Sequence, residues 1–205
     1  MTRVKICGIT RAEDAQLAAN LGAWAIGFVF WPGSPRTIDI EAARAITRDL
    51  SPLVATVGVF VNEAPAVMNE VARTVGLSAV QLHGDEDPDV LTQLEARAMK
   101  AVTLEQMDAA TKWPGRVTLL VDAHDPERRG GTGRTVDWTR AARMARARPI
   151  VLAGGLRPEN VEEALRVVAP AAIDVSSGVE SAPGIKDASR LRALFDAVGR
   201  AEVLS

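Results

Sequence analysis

PIVLAGGLRPENVEEALRVVAPAAIDVSSGVESAPGIKD, residues 149–187, reads as one device used twice. A short apolar strand, Pro149–Ala153, runs into Gly154-Gly155 and then a helix opened by Pro158. A second strand, Ala172–Val175, runs into Ser176-Ser177-Gly178, and the last helix follows at Ala188–Val198. Residues without bulk between a strand end and a helix start bare several backbone N–H groups at one point. With the positive end of a helix dipole behind them, such groups suit a phosphate. One Gly-Gly after a strand is more often only a tight turn. Two consecutive copies closing a chain of alternating strands and helices are a stronger sign.

Upstream of that stretch the same alternation continues to the start of the chain. Strands are read at Val4–Cys7, Ala25–Phe30, Val54–Val61, Ala79–Leu82, Ala98–Thr103 and Val117–Val121. Helices are read at Arg11–Leu21 with Thr10 as N-cap, Ile40–Asp49, Pro65–Val75, Pro88–Ala96, around Gln106–Lys112, and Trp138–Ala147. Pro65 near a helix start and Gly76 just past its end follow the usual asymmetry of helix termini. The unbroken apolar run of the second strand implies burial on both faces, as in a parallel sheet. Eight strands alternating with helices predict a single-domain α/β protein, residues 1–205, folded as a (β/α)8 TIM barrel of eight parallel strands. An open doubly wound sheet is the competing architecture. The count of eight and the paired turns at the end, where such barrels often bind phosphate, favour the closed form. In so compact a barrel the long loop Asp122–Val136 stands out as a functional segment.

Composition narrows the partners. The 205 residues carry a net charge of −2, which gives no reason to expect nucleic acid or an anionic membrane. A single cysteine excludes an internal disulfide and suits a reducing compartment, so a cytoplasmic location is expected. Neither a signal peptide nor an apolar run long enough to span a bilayer is visible. With two histidines and no metal-ligand spacing, no metal is expected. Without a G-x-G-x-x-G or Walker loop, a dinucleotide or ATP is not expected either, and the reading calls for no cofactor. The Arg-rich end of the helix at Met144–Pro149 reads as a solvated face. The expected partner is a small phosphorylated molecule, bound by a monomer or homodimer.

In a barrel, polar residues at C-terminal strand ends converge on one mouth. They are Cys7 with Gly8, Arg36 in the loop after the second strand, Asn62, His83 with Gly84, Asp122, Gly154-Gly155 and Ser176-Ser177-Gly178. Each has an ordinary structural reading. A lone cysteine is often a small buried hydrophobe; Asp122 could cap its loop, His83 could hold a turn, and Arg36 could be a surface residue. Together they supply a thiol, a carboxylate, an imidazole and a guanidinium around a phosphate grip. With no Ser-His-Asp spacing and no lysine evident at a strand end, acyl-enzyme and Schiff-base routes lack support. Proton transfer on a small phosphorylated substrate remains.

These residues resemble a known family. KICGIT (5–10), GFVF and SPR (27–30, 34–36), VGVFVN (57–62) and VQLHGDE (80–86) resemble segments of the phosphoribosylanthranilate isomerases of tryptophan biosynthesis. So do Asp122 with GGTG (130–133) and DW (137–138), LAGGLRPENV (152–161), and DVSSGVE with PGIKD (174–180, 183–187). The resemblance runs in register over nearly the whole chain. It implies a cofactor-free barrel that performs an Amadori rearrangement of N-(5-phosphoribosyl)anthranilate to 1-(2-carboxyphenylamino)-1-deoxyribulose 5-phosphate. It further implies that Cys7 is the general base, Asp122 the general acid and Arg36 the partner of the anthranilate carboxylate. Gly154, Gly155, Ser177 and Gly178 would hold the phosphate, and His83 would contact substrate. The loop HDPERRGG (124–131) is less typical of the family. Rival readings from the residues alone are another phosphosugar enzyme, an epimerase or synthase, and a non-catalytic barrel that senses a phosphorylated metabolite.

Overall fold

Strands that are apolar on both faces must be covered on both, and closing the sheet on itself inside a ring of helices does so. The computed structural model, which describes residues 2–106, 109–122 and 138–203, shows that solution. The strands are β1 (Arg3–Ile6), β2 (Ala25–Val29), β3 (Ala55–Phe60), β4 (Ala79–Leu82), β5 (Arg97–Thr103), β6 (Thr118–Asp122), β7 (Ile150–Ala153) and β8 (Ala172–Val175). They pair in parallel in chain order and close where β1 meets β8, with Arg3 opposite Ala172 and Ile6 opposite Val175. The outer ring contains α1 (Ala12–Asn20), α2 (Ile40–Asp49), α3 (Pro65–Val75), α4 (Trp138–Ala147), α5 (Val161–Val168) and α6 (Ala188–Val203).

Period-two alternation sorts the strand residues onto two faces. Large side chains such as Ile6, Phe28, Leu82, Leu119, Leu152 and Ile173 face the helices and form the main core. Burial of each contributes roughly 1.5–3 kcal/mol. The barrel interior is filled by a second, smaller-residue cluster: Ala25, Val57, Met99, Ala101, Leu120, Val151, Ala153 and Ala172. Those small residues leave space inside the barrel for the polar groups described below.

Several elements keep the bounds read from the sequence, because local chemistry marks their ends. Asp39 caps α2 by accepting from the N–H of Ala42 at 2.8 Å. Pro65 opens α3, and Gly76 ends it in the left-handed region at φ 81°.

Elsewhere tertiary contacts override the local signal. The helix expected over Pro88–Ala96 is one 3-10 segment, Pro88–Thr92. The Asn69 side chain reaches from α3 to the carbonyl of Gln93 and the N–H of Glu95, which pins the next residues outside a helix. Around Gln106–Lys112 the described residues form a 3-10 turn, Ala109–Lys112. Thr10 does not cap α1; its hydroxyl donates to the Gly184 carbonyl at 2.6 Å. Pro158 lies in a turn ahead of α5, which begins at Val161. Arg148, expected to be solvated, donates to the carbonyls of Trp113 and Val117. Between β8 and α6 runs an unforeseen hairpin of β9 (Glu180–Ala182) and β10 (Ile185–Lys186). The long loop after Asp122, with its GGTG and HDPERRGG segments, lies outside the described residues.

Candidate active site

A pocket of about 520 Å³ opens at the C-terminal ends of the strands. Its lining brings together Cys7, Arg36, His83, Asp122, Gly154, Gly155 and Ser177, which are up to 170 residues apart in sequence. Gly178 is not in the lining. A Cβ there would stand 1.9 Å from the Leu156 carbonyl oxygen, so the glycine lets the turn after β8 press against the turn after β7. Gly154 and Gly155 both have positive φ, 90° and 65°. A Cβ on Gly155 would meet nothing within 4 Å, so its backbone faces open space. Asn62 is not in the lining either. It sits at φ 52°, and its side chain accepts from Asp85 N–H at 2.7 Å, joining the loops after β3 and β4. Glu86 completes that knot by accepting from Gly84 N–H, Asn62 N–H and the ammonium of Lys100.

Cys7 continues the inner face of β1 past its last residue. Its own N–H donates to Val175 at 2.9 Å, which fixes it at the barrel seam. Cys7 is buried, 8% exposed, and burial pushes its thiol pKa above the ordinary value; Lys5 pulls it the other way. His83 reaches into the mouth from β4, with Nδ1 2.9 Å from Gln81 Nε2. Burial among the mouth residues lowers the imidazole pKa, and Asp122 opposes that shift. His83 is therefore mainly the neutral ring near neutral pH.

Arg36 does not wait with an empty guanidinium. Nε and Nη2 donate to Glu180, with Nη2 to Oε2 at 2.7 Å. The Glu180 carboxylate also accepts from the Lys186 ammonium at 2.8 Å and the Gly184 N–H at 3.3 Å. Lys186 in turn donates to the Cys7 carbonyl at 2.6 Å. The hairpin thus straps the base of the mouth and fixes the orientation of Arg36. The Nη1 edge makes no hydrogen bond among those of the described residues.

The sequence reading missed Lys5, Gln81 and Asp174. They form a buried polar layer under the pocket, with Lys5 Nζ donating at 3.0 Å to both Gln81 Oε1 and Asp174 Oδ1. The signal was positional: each lies two residues before a mouth residue (Cys7, His83, Ser176) and so shares its inward face. Trp31 was missed as well; it lines the pocket from the loop that carries Arg36 and is 44% exposed.

A closed parallel barrel with a thiol, a carboxylic acid, an imidazole and a glycine-rich turn at its C-terminal mouth defines an enzyme of the phosphosugar-barrel class. The family model for N-(5'-phosphoribosyl)anthranilate (PRA) isomerase matches residues 4–197. The N-(5'-phosphoribosyl)anthranilate isomerase of Trichlorobacter lovleyi is 50% identical over 198 residues, covering 94% of this chain and 95% of that one. The crystal structure of phosphoribosyl anthranilate isomerase from Thermotoga maritima superposes with a TM-score of 0.91 at 43% identity, covering 98% of this chain and 100% of that one. A second crystal structure of this enzyme type holds reduced 1-(o-carboxyphenylamino)-1-deoxyribulose 5-phosphate. It matches with a TM-score of 0.87 at 42% identity, over 97% of this chain and 100% of that one. The chain belongs to the N-(5'-phosphoribosyl)anthranilate isomerase family, the isomerases of this step in tryptophan biosynthesis.

Proposed function

We propose a division of labour in which Asp122 is the general acid, Cys7 the general base, and Arg36 with the glycine turns the substrate anchors. The supporting observation is that the pocket presents both Cys7 and Asp122, from β1 and β6, to a single space. Asp122 delivers a proton to the furanose ring oxygen as the C1–O bond breaks. The amine nitrogen supplies the electron pair, and the C1=N double bond forms as an iminium. Cys7, as thiolate, takes the C2 proton. The electrons of that C–H bond form the C1=C2 double bond and neutralise the iminium, and the enolamine tautomerises to the ketone. The substrate's own nitrogen is the electron sink, so these two groups suffice for the proton transfers.

The anthranilate carboxylate meets the open edge of Arg36, a fork geometry that suits it. Its ring lies toward Trp31, whose apolar face at the rim is partly exposed. The phosphate lies against the backbone at Gly154, Gly155 and Ser177, and Gly178 holds the two turns together. His83, as a neutral ring, donates or accepts a hydrogen bond from a sugar hydroxyl. The same reading places the enzyme in the cytoplasm, since a charged phosphosugar does not cross an apolar bilayer unaided.

Turnover by single variants tests the assignment. Cys7→Ala and Asp122→Asn should each lower kcat by roughly 10²–10⁴-fold with KM close to native. A folded variant that turns over at a near-native rate removes its residue from the mechanism.

A further inference from the structure

Lys5 is two residues before Cys7 on β1, so both side chains enter the barrel from the same strand, one layer apart. The lysine is 2% exposed. An ammonium has three N–H donors. Two are held in fixed directions by Gln81 and Asp174, each at 3.0 Å. The Cys7 sulfur stands within the field of that charge, which pulls the thiol pKa down against burial. Gly27 on β2 makes room for this arrangement. A Cβ there would stand 2.8 Å from Cys7 Sγ and 3.1 Å from Lys5 Cε, so the vacancy at Gly27 is shared by both side chains.

Stability alone does not account for a buried lysine in this place. The interior around it is filled by alanine, valine, leucine and methionine. A buried ion pair is often no better for stability than apolar residues of the same volume. We propose that Lys5 is a positioning residue for Cys7: it supplies, from beneath the pocket floor, a fixed positive charge that makes the thiolate attainable, and Asp174 with Gln81 sets where that charge stands. The inference rests on the reading of Cys7 as the base.

Other charged groups also bear on the sulfur. Asp174 faces it from β8 and Lys186 from the hairpin, bound to the Cys7 carbonyl. Arg36 lies toward it from the loop after β2, neutralised in part by Glu180. Asp122 and His83 line the same pocket from β6 and β4. Burial raises the thiol pKa most, Lys5 is the largest opposing influence, and Asp174 pushes upward again. Loss of Lys5 and loss of Asp174 should therefore act in opposite directions.

The chain has one cysteine and no tyrosine, so alkylation and thiolate absorbance both report Cys7 alone. The experiment follows iodoacetamide alkylation of the free enzyme against pH, with circular dichroism as the folding control. In Lys5→Met the alkylation profile should move to higher pH, with a rate roughly tenfold lower near neutrality. The kcat should fall in step, with KM retained. In Asp174→Asn the profile should move to lower pH. A folded Lys5→Met protein with the native profile overturns the inference. If Lys5→Met does not fold, an Asp174→Asn profile that stays put or moves to higher pH overturns it instead. The two readings fail separately. An active Cys7→Ala enzyme removes the base, whereas an unmoved profile beside an inactive Cys7→Ala enzyme removes only Lys5.

Discussion

Replacing Glu180 by alanine should cost the fold about 3–5 kcal/mol, the usual consequence of taking one partner from a buried ion pair. The carboxylate is 5% exposed and the Lys186 side chain 0% exposed. Without Glu180 the ammonium keeps, among the described residues, only carbonyl partners, Cys7 at 2.6 Å and Ser176 at 3.3 Å, and no ion pair. Arg36 contributes less to the loss, because its side chain is 24% exposed and can turn toward water. For a chain of this length each kcal/mol lowers Tm by about 2–4 °C, so the shift should be roughly 6–20 °C. Urea unfolding followed by circular dichroism measures the free energy directly. The sign of its pH dependence follows from Lys186. Burial already lowers that lysine's pKa, and Glu180 opposes the shift, so the variant lowers it further. A folded state that binds fewer protons than the unfolded one gains stability as pH rises. The deficit of the variant should thus shrink between neutral and alkaline pH, below the unfolded lysine value of ~10.4. Adding Lys186→Met should recover much of the loss. A Glu180→Ala protein within about 1 kcal/mol of native, or no recovery in the double variant, would show that the cluster is not a closed buried network.

Two further outcomes can be measured on the same enzyme. Gly155→Asn probes the proposed phosphate grip, because asparagine tolerates the left-handed backbone of Gly155 (φ 65°). Its side chain enters the open space beside the turn, so KM should rise about tenfold or more in steady-state assays with kcat less affected; an unchanged KM counts against the site. Glu86 and Glu180 have folded pKa values below the ordinary carboxylate value, Glu86 against burial and through Lys100, Glu180 against burial and through Arg36 and Lys186. Their contribution is complete above the unfolded value of ~4.3 and is lost as pH falls through the lower folded values, so acid unfolding should be milder in Glu86→Gln than in the native protein.

The architecture was legible because the signals for it are local. Apolar runs, Pro65 before a helix, and glycines after strands each act over a few residues, and they fix β4, β8, α2, α3 and α4 at or near their ends. The mouth residues Cys7, His83, Asp122, Gly154 and Gly155 were legible because barrel topology gathers strand ends, whatever their separation in the chain. The partner of Arg36 was not. Glu180 lies 144 residues away, and no local pattern links them. The 3-10 segment at Pro88–Thr92 was misread for the same reason, since Asn69 on another helix decides its length. Lys5, Gln81 and Asp174 are a different case. VKIC, AVQLH and AIDVS each carry one polar residue two places before the mouth, and alternation alone puts all three inside the barrel. Read only as apolar strands with polar ends, they conceal that layer.

That layer bears on how one small fold can hold a thiol in a usable state. Burial excludes water from the pocket floor and raises the Cys7 pKa, which by itself works against a base. A cation at the surface would be screened and mobile, and would do little to reverse the effect. A cation inside the barrel is neither, and Asp174 stands beside it as a counter-charge at 3.0 Å. The counter-charge must not cancel the field at the sulfur, so its position matters. Lys5 shares a strand with Cys7, whereas Asp174 approaches from β8. The alanines at 25, 79, 153 and 172 leave the interior open enough for the pair. The same alternation that builds the apolar core therefore delivers both the thiol and the charge beneath it. The glycine at position 27 is what lets the two come together.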